Sequence, residues 1–344
     1  MAYLMNRWYV AAWAHEVGDQ LFHRRLLGEN VLIFRESGGR AVAIADRCPH
    51  RFAPLHLGRR RGDAVECRYH GLRFDGTGAC VHSPHGHQLP RHCEVRAYPL
   101  VERHGVLWIW PGTAAADPEA IADFSYLTAP GHKTVHGSAR LRAHYELVSD
   151  NLMDASHTQF VHEDQLATDA FAGSRHEVLQ EGDAVHSNYY LSDSPIPTAY
   201  RPYFSEPDQL VAFSICFRWL PPALVRNNVT LAPVGKPPTA AIRRIGSHFM
   251  TPETAESTHY FFAHTRNFET ESADVDARIR RWQQHGLVGQ DGAMIEAVQE
   301  TMGTTDLDSL SPALFAIDTA AVRVRRRLAE LVAEEAAAAE RGRP

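Results

Sequence analysis

The chain has 344 residues, 44% of them hydrophobic and 22% charged, with a formal net charge of −6 and a sequence pI near 6.4; this length suffices for two domains with cores of their own. No basic field exists to draw nucleic acid, since the one basic cluster, Arg59, Arg60 and Arg61, is too short to supply it. The chain opens with no charged-then-apolar leader and its apolar runs fall far short of the ~20 residues that span a bilayer, so a soluble, cytoplasmic protein without a membrane or nucleic-acid partner is expected.

In chain order, 31–34 and 41–45 flank Glu36-Ser37-Gly38-Gly39 and read as a β-hairpin with a glycine turn. Next come two short loops, C-P-H-R from Cys48 and C-R-Y-H-G from Cys67, sixteen residues apart. Two thiolates and two imidazoles at this spacing suit a [2Fe–2S] centre in which one iron keeps sulfur ligands and the other takes histidine nitrogens. Each loop gives one Cys and one His, so both irons are gripped from both sides, and Gly71 lets the backbone approach the sulfides. Zinc is the rival for a set of two cysteines and two histidines, but zinc fingers keep their cysteines together and their histidines together. Cys48, His50, Cys67 and His70 therefore read as the ligands of a Rieske centre. Respiratory Rieske proteins carry a further Cys in each loop, joined as a disulfide; neither 48–51 nor 67–71 has one, so the loops resemble those of ring-hydroxylating and demethylating oxygenases. Cys80, Cys93 and Cys216 show no disulfide framework, as a reducing compartment would leave them. His82, His85, His87 and His92 lack an acidic or thiolate partner and read as a loop covering the cluster rather than a third metal site.

The strand-like 106–110, stopped by Pro111-Gly112, reads as the last strand of a small β-barrel, and 113–119 has the composition of a linker. Two domains follow, 1–112 and 113–344. In the second, 187–191, 211–219, 227–232 and 258–264 are rich in β-branched and aromatic residues and suggest antiparallel strands, while 146–162, 274–300 and 318–340 read as helices. The fold class is α+β. The final helix has the Arg, Glu, Leu and Ala mixture of an exposed helix, a solvated face or packing arm.

Within 146–162, His157 and His162 stand five residues apart, and five residues turn a regular helix through about 140°. The two can share a metal only if the helix bends or ends between them. Two His and one carboxylate on one side of an iron, with positions open for dioxygen and water, form a non-haem Fe(II) site. Spacing does not select the third ligand: Asp291, Glu296, Asp306 and Asp308 all remain candidates. Asn151, just upstream, is read as steering oxygen or water near the iron, or as a helix cap.

These landmarks are joined by N-R-W-Y-V-A-A at 6–12, C-P-H-R-F-A-P-L at 48–55, Y-H-G-L-R-F-D-G at 69–76, L-W-I-W-P-G at 107–112, D-N-L-M-D at 150–154, T-P-E-T at 251–254, H-Y-F-F at 259–262 and A-A-V-R-V at 320–324. Over nearly the whole chain they resemble the oxygenase components of the Rieske non-haem iron oxygenases of the dicamba and vanillate O-demethylase type. The resemblance implies an N-terminal all-β Rieske domain, then a helix-grip catalytic domain (an antiparallel sheet with a long helix), assembled as a head-to-tail homotrimer. It implies a [2Fe–2S] cluster and a mononuclear Fe(II), with Asp291 as the third iron ligand beside His157 and His162. It gives Asp154 the role of bonding His157 and, across the subunit boundary, the neighbouring chain's cluster histidine at position 70, so that electrons cross between centres. Asn227, His248 and Trp282 match substrate contacts: an amide and an imidazole for a carboxylate or phenolic oxygen, an indole wall for a ring.

The implied reaction is O-demethylation of a methoxylated aromatic acid with O2, releasing formaldehyde. No glycine-rich dinucleotide motif is present, so NAD(P)H is expected to be tapped by a separate reductase, with or without a ferredoxin. The alternatives are a Rieske oxygenase that hydroxylates or N-demethylates another aromatic substrate, and a pure electron-transfer protein with no iron at His157 and His162. Residues 163–216, Phe217 and Ala263-His264-Thr265 depart from the dicamba-type pattern, being bulkier or more polar, so the resemblance does not carry over a particular substrate.

Overall fold

A computed structural model describes residues 3–86, 88–162, 165–166 and 168–341; His87 of the histidine group lies outside them. The chain divides into two compact units. One comprises Met5–Phe124 with Thr251–Thr254; the other comprises Ser125–Met250, the chain from Ala255 onward and the N-terminal residues up to Leu4.

The first unit is all β. Phe22–Leu26, Glu29–Arg35, Ala41–Ala45 and Ala97–Tyr98 form one four-stranded sheet, and Arg59–Arg61, Ala64–Glu66, Arg73–Asp75 and Cys80–His82 another. The expected hairpin is present, pairing Val31 with Ala45 and Phe34 with Val42, and Gly39 takes the left-handed conformation at φ 83° that its turn requires. Val106–Ile109 does not close this sheet into a barrel. It lies between Tyr9–Trp13 and Leu100–Arg103 in a separate three-stranded sheet, where Trp108 is fully buried. Two arginines of the basic cluster converge on one carboxylate: Glu66 accepts from Arg59 at 2.6 Å and Arg61 at 3.3 Å, and also from Arg73 at 2.8 Å. Those hydrogen bonds, Arg59 foremost, hold its carboxyl down to about 2 against the effect of burial.

The second unit is built on a seven-stranded sheet in the order Lys133–Leu141, Ser257–Arg266, Ile242–Thr254, Leu224–Pro233, Leu210–Leu220, Ala184–Pro195, Arg175–Glu181. Four of these strands contain the runs read from sequence; Lys133–Leu141, Arg175–Glu181 and Ile242–Thr254 were not foreseen. Glycine explains two of the omissions. Gly137 pairs with Phe262, and a Cβ there would fall inside the Phe262 ring, so the residue that weakens the strand pattern is the one that lets the ring lie flat. Gly246, opposite Asn227, makes room for the Asn227 amide in the same way.

The helix expected over 146–162 is broken, as two histidines sharing a metal require. α1 (Tyr145–Met153) ends before Asp154, a single 3-10 turn spans Ala155–His157, and α2 (Thr158–Val161) stops at His162. α3 (Ala273–Trp282) starts from a Ser272 cap that accepts from Val275 N–H at 3.3 Å. It passes into a π-helix, Gln283–Gly292, and then α4 (Ala293–Met302), which ends at a left-handed Gly303. α5 (Thr319–Arg341) buries Ala320, Val324, Leu328 and Leu331 along one stripe. It is a packing arm rather than a wholly solvated helix, for Arg325 reaches α1 to bond Asp150 at 2.5 Å and Glu146 at 3.1 Å. Among the described residues no helix is long and apolar enough to cross a membrane.

Candidate metal centres and substrate cavity

The two cysteine–histidine loops are made the same way. Cys48 N–H donates to Ala53 O and Phe52 N–H to Cys48 O, both at 2.9 Å; Cys67 N–H donates to Leu72 O at 2.8 Å and Gly71 N–H to Cys67 O at 2.9 Å. The fifth residue of each loop has positive φ, 59° at Phe52 and 74° at Gly71, which costs a non-glycine residue about 1–2 kcal/mol. Each loop thus sinks its cysteine into the apolar core with Leu32, Phe34 and Phe74 and carries its histidine outward. The rings of His50 and His70 stand 4.5 Å apart.

Burial, with Cys67 alongside, pushes the Cys48 thiol up to about 11 against opposing main-chain hydrogen bonds; a metal that replaces the proton removes that conflict. Two buried sulfurs and two outer nitrogens fit a [2Fe–2S] cluster. Asp46 brackets the first loop, accepting His56 N–H at 2.7 Å and contacting His56 Nδ1 at 2.5 Å. His85 contacts His70 O through Nε2 at 2.9 Å, covering the second loop, while His92 lies out by Glu94.

In the second unit, α2's termination turns His162 back toward His157, and the π-helix carries Asp291 to meet them. Asp291 Oδ1 is 3.5 Å from His157 Nε2 and 3.2 Å from His162 Nε2. Of the four carboxylates that spacing left open, Asp291 alone forms this group; Glu296 instead binds Arg142 at 2.7 Å. Each imidazole is oriented from behind: His157 Nδ1 by the main-chain carbonyl of Asp154, and His162 Nδ1 by Gln290 Oε1 at 2.9 Å. A proton on each Nδ1 leaves two Nε2 lone pairs facing a carboxylate oxygen, a donor set that calls for a cation and suits iron. Asn151 Nδ2 is 3.5 Å from Asp291 Oδ1, so it lies at the site, at the limit of hydrogen bonding. Asp154 differs from what the resemblance implied within one chain. Its carbonyl, not its carboxylate, takes His157, because the carboxylate caps the 3-10 turn through Ser156 N–H at 2.8 Å.

A cavity of about 50 Å³ adjoins the triad. Alternation along strands turns Phe213, Ile215 and Phe217, Asn227 and Val229, and Arg244 and His248 into it from three neighbouring strands. The expected substrate contacts Asn227, His248 and Trp282 all line it, and so do Arg244 and His264. Burial, reinforced by Arg244, pushes His248 down to about 3 and His264 well below the ordinary value, so both imidazoles are neutral. Asn227 Oδ1, His248 Nε2, His264 Nε2, Trp282 Nε1 and Arg244 Nε are buried without a partner among the described residues. Each such atom costs about 1–3 kcal/mol, and their convergence marks a ligand site. Sequence reasoning missed Arg244, Gln290 and the π-helix. Arg244 and His248 stand four apart on a strand, a same-face signal that was legible only once that strand was recognised.

A unit with paired Cys–His loops and a sheet domain in which two histidines and one carboxylate converge define the class of Rieske non-haem iron oxygenases. The Rieske [2Fe-2S] domain model matches residues 7–99 and the vanillate O-demethylase oxygenase C-terminal domain model residues 141–334, and the chain belongs to this family. Its cofactors are a Rieske [2Fe–2S] cluster and a mononuclear non-haem iron. It is 37% identical to the dicamba O-demethylase oxygenase component of Stenotrophomonas maltophilia, over 98% of this chain and 100% of that one. It is equally identical to the chloroacetanilide N-alkylformylase oxygenase component of Rhizorhabdus wittichii, over 96% and 97%. The crystal structure of dicamba monooxygenase bound to 3,6-dichlorosalicylic acid matches with a TM-score of 0.93 at 36% identity, covering 98% of this chain and 100% of that one.

Proposed function

We propose that this chain is the oxygenase component of a multicomponent monooxygenase that O-demethylates a methoxylated aromatic acid, taking electrons from a separate NAD(P)H-dependent reductase, directly or through a ferredoxin. The observation that carries the reading is an aromatic-lined, donor-rich cavity abutting His157, His162 and Asp291. Cys48, His50, Cys67 and His70 hold the cluster in the N-terminal domain, 1–112, and the His157–His162–Asp291 group holds Fe(II) in 113–344. When bound, these groups supply single electrons and activated dioxygen, the chemistry that converts a methoxy carbon to a hemiacetal, which collapses to formaldehyde and a phenol.

The protein's own part is placement. Trp282 and Phe217 confine the ring, His248 and Asn227 orient its polar substituent, and burial excludes water from the reacting carbon. The Gln290 and Asp154 carbonyl contacts hold both imidazoles with Nε2 forward. Asp154, three residues before His157, is partly exposed, which suits it to reach the neighbouring protomer's cluster histidine in a homotrimer. An N-dealkylating or hydroxylating reaction is the second reading, favoured by the equal identity to the N-alkylformylase component.

The test is formaldehyde release from methoxybenzoates by the reconstituted electron chain, with the product identified. One formaldehyde per O2 consumed is expected; oxygen uptake without demethylated product overturns the reading. Asp154→Asn should retain both metals, three irons per chain, while turnover falls at least 100-fold; an undiminished rate excludes Asp154 from electron transfer.

A further inference from the structure

The unpartnered atoms of the cavity are mostly donors, and the surrounding hydrogen bonds enforce this. Tyr260 is buried and keeps its proton, and among the described residues its hydroxyl contacts only His248 Nδ1, at 2.6 Å. Donation there is what gives the buried hydroxyl proton an acceptor among the described residues, and it puts the His248 proton on Nε2. Gln283 Nε2 donates to Val135 O at 2.9 Å and reaches His264 Nδ1 at 3.1 Å. A carbonyl can only accept, so the amide orientation is fixed and the His264 proton also lies on Nε2. Among the described residues both N–H groups line the cavity without an acceptor, as do Trp282 Nε1–H and Arg244 Nε–H.

Arg244 is the cation of this group. Its guanidinium carbon stands 5.1 Å over the Trp282 ring and 5.2 Å over Tyr200, and it pairs with no carboxylate among the described residues. The His264 ring is 5.0 Å from Trp282 and 6.0 Å from His248, so the two donors flank the same indole. Among the described residues the one carboxylate lining the cavity is Asp291, which is already shared between two histidines. Arg244 and Trp282 also line an adjoining outer pocket of about 340 Å³, together with Arg278, Arg281 and His285. The approach is therefore cationic, and the interior offers four unpartnered N–H groups against one unpartnered acceptor, Asn227 Oδ1, a balance that favours an oxyanion.

We propose that Arg244 and His264 form an oxyanion subsite that binds a carboxylate or sulfonate substituent of the aromatic substrate and sets the specificity of this chain. The inference rests on the cavity being the substrate site. It concerns binding alone, and so it is tested without turnover.

Calorimetry on the full-length, iron-loaded protein, oxidised and without reductase, compares benzoate, benzenesulfonate and the neutral isostere benzamide. At least one anion should bind ten-fold or more tighter than benzamide, and the tighter of the two identifies the acid group. Arg244→Gln should erase that preference by weakening the anion ten-fold or more while leaving benzamide within two-fold; Arg244→Lys should restore part of it. His264→Phe should weaken the anion about ten-fold and His264→Gln, which keeps an N–H, less. Equal affinity for all three probes, no binding of either anion, or unchanged anion affinity in both Arg244→Gln and His264→Phe at native iron content and unfolding temperature overturns the proposal. If the anions bind as stated and no methoxybenzoate releases formaldehyde, the demethylase reading fails and the subsite stands.

Discussion

The two metal sites are held by different kinds of force. The cluster loops keep their ligands within one stretch from Cys48 to His70 and fix them with main-chain hydrogen bonds repeated from one loop to the other. The mononuclear site gathers residues far apart in sequence: Gln290, which orients His162, is 128 positions away from it. Its shape depends on side-chain acceptors, on a π-helix and on how firmly α1 is seated. The first site is set by local turns and the second by tertiary packing, so they should respond differently to substitution.

The largest effect expected from this contrast comes from Asp291→Ala, which deletes the carboxylate between two imidazoles. Iron should fall from three to two per chain, with the Rieske visible and paramagnetic spectra unchanged; loss of the cluster as well would show that the sites are not independently built. Next is Arg325→Ala, which strands the partly buried Asp150 and Glu146 of α1. Breaking a fully buried pair costs about 3–5 kcal/mol; with these carboxylates partly exposed, denaturant unfolding should show a loss at the lower end of that range in the catalytic unit, with the Rieske spectrum intact at low denaturant.

His144 gives a titratable version of the same test. It is 1% exposed, and burial, followed by the charge of Arg325, lowers its pKa to about 4, although Glu146 lies 3.9 Å away. Burial likewise raises Glu146 to about 7, so near neutrality this pair is not an ion pair. A depressed histidine contributes stability that is present above its unfolded pKa of ~6.5 and is lost as pH falls through its folded value. Relative to His144→Leu, the wild-type chain should lose about 3 kcal/mol between pH 6.5 and 4, measured by paired chemical denaturation; parallel curves would refute the assignment. The smallest effect belongs to the local site. Gly71→Ala puts a side chain at φ 74°, 3.2 Å from Pro84 Cγ, and should cost about 1–2 kcal/mol in thermal unfolding with the cluster still assembled.

How much could be read from the sequence follows from the same difference. Cys48, His50, Cys67 and His70 are contiguous enough that spacing alone names the cluster type. His157 and His162 were legible as a pair, and the helix break between them followed from their angular separation. Asp291 was not, because a carboxylate brought in by a π-helical turn has no spacing relation to its partners; resemblance singled it out. Arg244 was hidden for a further reason. It lies in Ile242–Thr254, a strand whose Arg pair and glycine mask the alternation that would reveal it, yet that glycine is what makes room for Asn227.

The segment Thr251–Thr254 bears on how such proteins can be recombined. These four residues belong to the cluster-bearing unit, where the carbonyls of Pro252 and Glu253 accept from Leu27 and Gly28 at 2.7 and 2.9 Å, and Thr251 donates to Val10 at 2.7 Å. A chimera spliced once in the linker would graft an electron-carrying half deprived of a strand end supplied some 130 positions downstream. Interchangeable cassettes of this enzyme class therefore need a second, four-residue transplant to match the donor.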